Sequence, residues 1–126
     1  MSKIKMDIER CMDGPTNIDS ILTSGFMFPA EFIGFQGHFP TNKVLPGACQ
    51  IQCVISTIEK ALDKHVVLKE IVLAKYIAPI HPGDNVICTV SGLPETGIEF
   101  VCKARITKGT EKAADLKLLV CLSDKI

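Results

Sequence analysis

The residues best suited to chemistry lie in one stretch, Gly37-His38-Phe39-Pro40-Thr41-Asn42-Lys43-Val44-Leu45-Pro46-Gly47-Ala48-Cys49-Gln50-Ile51-Gln52. His38 stands between a glycine and a Phe-Pro pair, and Pro46-Gly47 follows eight residues later at the head of a long apolar run. Neutral imidazole has a pKa suited to taking a proton near pH 7. A helix beginning at Pro46-Gly47 would turn unpaired backbone N–H groups, and the positive end of its dipole, toward a carbonyl oxygen. Proline fits that entry because its missing N–H is not needed there. A base beside such a donor set can take a proton next to a carbonyl and hold the enolate oxygen that develops. Gln52, at the end of this stretch and on that helix, is a polar residue of interest. Its amide has no acidic proton to give, but it can bond a hydroxyl or position a water.

These groups need a long helix and a surface to pack it on. From Ala48 to Lys64, apolar residues recur at Ile51, Val54, Ile55, Ile58, Ala61 and Leu62, the spacing of one helix face. Ala48, Cys49 and Cys53 widen the stripe, which predicts a helix largely enclosed by protein. After it the period becomes two. Val66 to Ile80 reads as one strand with a bend, Pro82-Gly83 as the centre of a type II turn, and Asp84 to Leu93 as the next strand. A turn at Pro94-Glu95-Thr96-Gly97 leads to a half-buried strand with Ile98, Phe100, Cys102, Ala104 and Ile106 on one face. Lys108-Gly109-Thr110 turns the chain into a last alternating strand, Ala114, Leu116, Leu118, Val120 and Leu122. The four strands are expected to form a meander. Before the histidine, Ile18 to Leu22 reads as a short helical turn, and Phe26–Phe28 and Glu31–Phe35 read as extended segments broken at Pro29. Phe26, Phe28, Phe32 and Phe35 would pack in the core, next to any acyl chain bound there. One helix on one antiparallel sheet is an α+β pattern.

A chain of 126 residues is expected to form a single domain, 1–126. Its 14 basic and 14 acidic side chains cancel, with no basic stripe to support binding to nucleic acid or to an anionic membrane. The N-terminal stretch lacks the apolar core of a signal peptide, and no apolar run approaches the ~20 residues of a membrane span. The expectation is a cytoplasmic protein without a membrane span. Cys11, Cys49, Cys53, Cys88, Cys102 and Cys121 include no Cys-x-x-Cys pair. Cys49 and Cys53 share a helix face and with His38 would supply three metal ligands, but no fourth is evident, and packing is the preferred reading. No metal or organic cofactor is implied.

The pattern resembles the hot-dog fold, and specifically the bacterial (3R)-hydroxyacyl-acyl-carrier-protein dehydratases, from about Phe26 to the end. The most specific residues are Gly37-His38-Phe39-Pro40 with Val44-Leu45-Pro46-Gly47, supported by Ala74-Lys75-Tyr76-Ile77-Ala78-Pro79 and Pro82-Gly83-Asp84. The resemblance implies that His38 is the acid/base at the substrate α-carbon and that Gly47 donates its N–H to the thioester carbonyl. Phe39, Pro46 and Ala48 would line the substrate around it. It also implies a site completed across a dimer, with the helix acid coming from the other subunit, and an acyl carrier protein as partner. The chain departs from the pattern twice. Lys43 stands where proline is common, and Gln52 stands where the family carries its glutamate or aspartate. Glu59 lies two turns along the helix, about 10 Å from Gln52 and too far to replace it simply; Glu31 could approach from the preceding segment, which spacing alone does not show.

Three functions are compatible with these residues. The first is a dehydratase-like enzyme on acyl thioesters of acyl carrier protein or coenzyme A, with Gln52 as a polar positioning residue. The second is a non-catalytic acyl-thioester binder, or a subunit that pairs with an active homologue. The third is a hot-dog thioesterase. A homodimer or a higher oligomer is expected in each case.

Overall fold

The computed structural model describes residues 2–36, 42–94 and 96–125. Its centre is helix α2 (Gly47–Leu62), where the apolar spacing required one. Cys53, Val54 and Ile58 are wholly enclosed, and Ser56, Thr57 and Glu59 are buried with them. Of the polar members Thr57 is satisfied within the helix, its Oγ1 donating to the Cys53 carbonyl at 2.7 Å, while Ser56 and Glu59 find partners on other elements. The helix ends at Asp63, which takes the left-handed conformation that stops a helix cleanly.

A single six-stranded antiparallel sheet packs against α2. Its strands are β1 (Met12–Ile18), β2 (Ile21–Phe26), β3 (His65–Tyr76), β4 (Val86–Ser91), β5 (Glu99–Lys108) and β6 (Glu111–Ser123), in the order β1-β2-β4-β5-β6-β3. The inward faces follow the alternation: Cys102, Ala104 and Ile106 on β5, and Ala114, Leu116, Leu118 and Val120 on β6, are buried. Each large aliphatic side chain enclosed in this way contributes ~1.5–3 kcal/mol relative to exposure. Ile98 departs from the expected face; it precedes β5 and is 66% exposed. Pro82-Gly83 makes the expected turn, with Gly83 at φ +83° and Asp84 N–H donating to the His81 carbonyl at 3.2 Å. Glu95 of the Pro94–Gly97 turn lies outside the described residues.

The expected meander holds for β4, β5 and β6 alone. β3 crosses to the far edge and pairs with β6, from His65 opposite Ser123 to Tyr76 opposite Ala114. Length accounts for the choice: a twelve-residue strand finds a full-length partner in thirteen-residue β6, which six-residue β4 could not offer.

The first third of the chain differs most from expectation. Ile18 to Leu22 is a β-hairpin corner rather than a helical turn. Ile18 pairs with Ile21, and Asp19 and Ser20 take φ of 52° and 63°. Two positive φ values make the turn whose twist matches paired strands. Ahead of it, helix α1 (Lys3–Arg10) is capped by Ser2, whose hydroxyl accepts from Lys5 N–H at 3.1 Å, and buries Ile8 against the core. The second aromatic segment is a 3-10 turn, Ile33–Phe35, rather than an extended one.

Glu59 ties these pieces together. Its carboxylate meets Lys5 Nζ at 2.7 Å, His65 Nδ1 at 3.4 Å and the Val66 N–H at 2.9 Å. One buried acid thus joins α1, the end of α2 and the start of β3, a structural task that occupies it fully.

Candidate active site

The start of α2 is pinned from outside the helix. Leu45 N–H donates to the Ile80 carbonyl at 2.8 Å, which holds Val44–Pro46 against the segment that leaves β3. The Pro46 carbonyl accepts from both Cys49 and Gln50 N–H, at 3.1 and 3.2 Å. The N–H groups of Gly47 and Ala48 belong to the first turn, where no intrahelical acceptor exists, so they face outward with the helix dipole behind them. A cleft of about 450 Å³ opens at this point, lined by Val44, Pro46, Gly47, Gln50, Tyr76 and Pro79 among others. A concavity of similar size on the sheet, around Leu73, Thr89 and Arg105, lacks a helix start.

Glycine at position 47 has a steric reason. A Cβ there would lie 2.6 Å from both Cζ and Oη of Tyr76. The Tyr76 ring therefore rests directly on the helix start, and partial burial pushes its phenol pKa up, keeping it a neutral O–H. Next to it, Gln50 is 4% exposed; its Nε2 reaches the Leu45 carbonyl at 3.4 Å, and its Oε1 has no partner among the described residues.

The sequence-expected residues divide into three groups. Pro46 and Gly47 line the cleft. Ala48 is exposed on the next position of the helix, outside the lining. His38 and Phe39 lie outside the described residues. Gln52 sits one turn deeper on α2, half-buried and outside its own chain's cleft. Its Nε2 donates to Ser56 Oγ at 2.9 Å, and Ser56 Oγ donates to Glu9 Oε2 at 2.7 Å. Ser56 was legible as the i+4 neighbour of Gln52 on one helix face. Glu9 left no such signal, because it arrives on α1 through tertiary packing. Tyr76 was visible only as part of a family-like stretch without a role. Glu31 is exposed.

The phenylalanines behind the helix start are core. Phe26 stacks on Phe28 at 5.9 Å, Phe28 meets Phe32 at 4.8 Å, and Phe35 completes the row edge-on at 5.5 Å, all at most 3% exposed. They reach the first turn of α2 through Gly34, where an added Cβ would meet Phe32 at 2.4 Å and Cys49 Sγ at 3.0 Å. Burial pushes the thiols of Cys49 and Cys53 up, and that of Cys88 to about 12, which favours neutral packing groups over metal-binding thiolates. Among the described residues no group of three His, Cys, Asp or Glu could hold a metal ion, and no helix is long and apolar enough to cross a membrane.

Known proteins resemble the chain in sequence and in fold. A family model described as ApeI-like, ApeI dehydratase, matches residues 16–114. The 3-hydroxyacyl-acyl-carrier-protein dehydratase FabZ of Ehrlichia chaffeensis is 34% identical over 79 residues, 57% of this chain. The match spans 55% of that relative's own length. FabZ of Ehrlichia canis is 31% identical over 112 residues, covering 79% of this chain and 74% of its own. In fold, the dehydratase heterocomplex ApeI:P from Xenorhabdus doucetiae superposes with a TM-score of 0.71 at 20% identity, over 87% of this chain and 93% of that one. A hypothetical thioesterase with coenzyme A from Streptococcus pneumoniae reaches 0.69 at 8% identity, over 97% and 95%, so the hot-dog fold alone does not choose the reaction. The family match across most of the chain does choose a lineage: the protein belongs to the ApeI-like dehydratase family.

Proposed function

We propose that the protein is a hydro-lyase that removes water from (3R)-hydroxyacyl thioesters on phosphopantetheine to give trans-2-enoyl thioesters, and catalyses the reverse hydration. The observation that carries this reading is the cleft at the start of α2, where Gly47 offers its N–H beneath the Tyr76 ring. The thioester carbonyl accepts from that N–H. The His38 imidazole takes the α-proton, and electrons pass to the carbonyl oxygen, where the helix dipole stabilises them. The C–O bond at the β-carbon then breaks, and the imidazolium returns its proton to the leaving oxygen as water. Gln52 bonds the hydroxyl without donating an acidic proton. The absence of a dedicated acid costs ~10²–10⁴ in rate.

The working unit of this proposal is a cytoplasmic homodimer or larger assembly, with one 1–126 domain per chain and acyl carrier protein as the donor of substrate. The place of Gln52 outside its own chain's cleft supports a site shared between subunits. A second reading, a subunit that completes an active homologue, is favoured by the amide at position 52; the ApeI:P structure is itself described as a heterocomplex.

Hydration of a crotonyl thioester, followed at the enoyl absorbance band, tests the proposal. Wild type should be slow but active, His38→Ala inactive, and Gln52→Glu faster by roughly 10- to 100-fold. Silence in both wild type and Gln52→Glu, with the assembly intact, would replace the stand-alone enzyme with the partner-subunit reading.

A further inference from the structure

The hydrogen-bond chain that ends at Gln52 has a direction, and the direction is fixed at its far end. Glu9 enters as a carboxylate held by Lys60 Nζ at 3.5 Å and Lys5 Nζ at 4.0 Å. A carboxylate only accepts, so the Ser56 hydroxyl 2.7 Å away spends its single proton on Glu9 Oε2. Ser56 is fully buried, and its oxygen is left as an acceptor for a neighbouring side chain. The group of Gln52 that lies 2.9 Å from it must therefore be the N–H donor. Turning the amide over would set two acceptor oxygens against each other at that distance. Amide orientation, usually ambiguous, is decided here by the network.

We infer that Ser56 and Glu9 are positioning residues that lock the Gln52 amide with its nitrogen inward, so that its carbonyl oxygen is presented to the substrate's β-hydroxyl. This rests on the hydro-lyase reading above and sharpens it. The hydroxyl donates its proton to Gln52 Oε1 in the ground state, which leaves the oxygen's lone pairs free to accept the proton that His38 acquires from the α-carbon. When the C–O bond breaks, that oxygen leaves with the bonding pair, takes the imidazolium proton and departs as water; Gln52 neither gains nor loses a proton. An amide held this way acts as an orienting acceptor at the position where the family resemblance implies an acid.

The test combines side-chain amide NMR with crotonyl-thioester hydration on the full chain, using wild type, Ser56→Ala, Glu9→Ala, Gln52→Ala and the Ser56→Ala/Gln52→Ala double variant. The expected result is a shifted and broadened Gln52 amide pair in Ser56→Ala and in Glu9→Ala. Each should lower kcat roughly tenfold with KM nearly unchanged. Ser56→Ala should add nothing in the Gln52→Ala background. Lys60→Ala, which leaves the Ser56–Glu9 bond in place, should keep the wild-type amide signal. An amide pair indifferent to Ser56→Ala overturns the lock whatever the activity. A shifted pair with additive kinetic losses overturns the positioning role. A shifted pair in a catalytically silent wild type removes the hydro-lyase reading, and the presentation to substrate with it, while the lock itself stands.

Discussion

Gly47 combines two requirements that only a hydrogen atom in place of Cβ reconciles: an open backbone N–H at a helix start, and an aromatic ring lying on that start. Gly47→Ala would bring a methyl group within 2.6 Å of the end of the Tyr76 side chain. Tyr76 is about half exposed, so its ring can swing away, and alanine is a better helix residue than glycine. Stability should change by less than about 1 kcal/mol, while kcat/KM in thioester hydration should fall at least ~10-fold because the methyl and the displaced ring obstruct the cleft. Gly34 is the control with the opposite outcome. There the obstructing atoms belong to Phe32, which is 2% exposed and has nowhere to go, so Gly34→Ala should cost ~1–3 kcal/mol in thermal or denaturant unfolding. A pair of melts and rate measurements separates the two. At this scale the sequence singled out Gly47 and Gln52 through the family resemblance; the structure sets Gly47 in the cleft lining and Gln52 outside it, and Ser56 was one helical turn from Gln52. What it could not contain was Glu9, forty-seven residues upstream of Ser56 and delivered by a helix that composition alone did not announce.

The two edges of the sheet are built differently, and the difference predicts an assembly. β1 is a blunted edge: its strand carries Pro15, its register slips between Asp13 and Thr16, and it exposes the polar Asp13, Thr16 and Asn17. β3 also slips in register, between Leu68 and Glu70 and between Ile71 and Leu73, but it carries no proline and is far richer in exposed apolar side chains. Its outer positions Val67, Ile71, Val72, Leu73 and Tyr76 are 42–48% exposed, a row of large apolar groups on a twelve-residue edge strand. An edge of that length with so many exposed apolar groups invites pairing with a second copy, even though Lys69, Glu70 and Lys75 interrupt it. Val72→Asp should therefore convert the expected dimer to monomer, raising its Kd ~100-fold or more, with the fold intact because Val72 is 47% exposed. Sedimentation of wild type and variant would read this directly; a wild type that already sediments as a monomer would contradict the pairing. The sheet was largely legible as alternating apolar runs, since β4, β5 and β6 each bury one face. The hairpin before it was not. Asp19 and Ser20 make a turn usually written with glycine or asparagine, and a strand containing Gly14 and Pro15 reads locally as a loop. Position in the sheet was equally hidden: β3's place beside β6 follows from matched strand lengths, which only the whole set of strands defines.

For the molecule as a whole, the separation of Gln52 from the cleft of its own chain becomes a statement about symmetry. If each site draws His38 and Gly47 from one subunit and Gln52 from the other, as the cross-subunit proposal requires, then two inactive chains can rescue each other. His38→Ala supplies an intact amide and Gln52→Ala an intact histidine. Unfolded together and refolded at equal ratio, half of the dimers would be mixed, and each mixed dimer would hold one complete site and one doubly defective site. The mixture should therefore recover about a quarter of wild-type activity, against little in either parent refolded alone. A site formed within one chain gives no recovery at any ratio, because no mixed dimer then contains both groups in one place. The same mixing with Ser56→Ala carries the argument back to the polar chain on α2. Glu9 and Ser56 belong to the subunit that presents Gln52, so Ser56→Ala should depress the rescue when combined with His38→Ala and leave it unchanged when combined with Gln52→Ala.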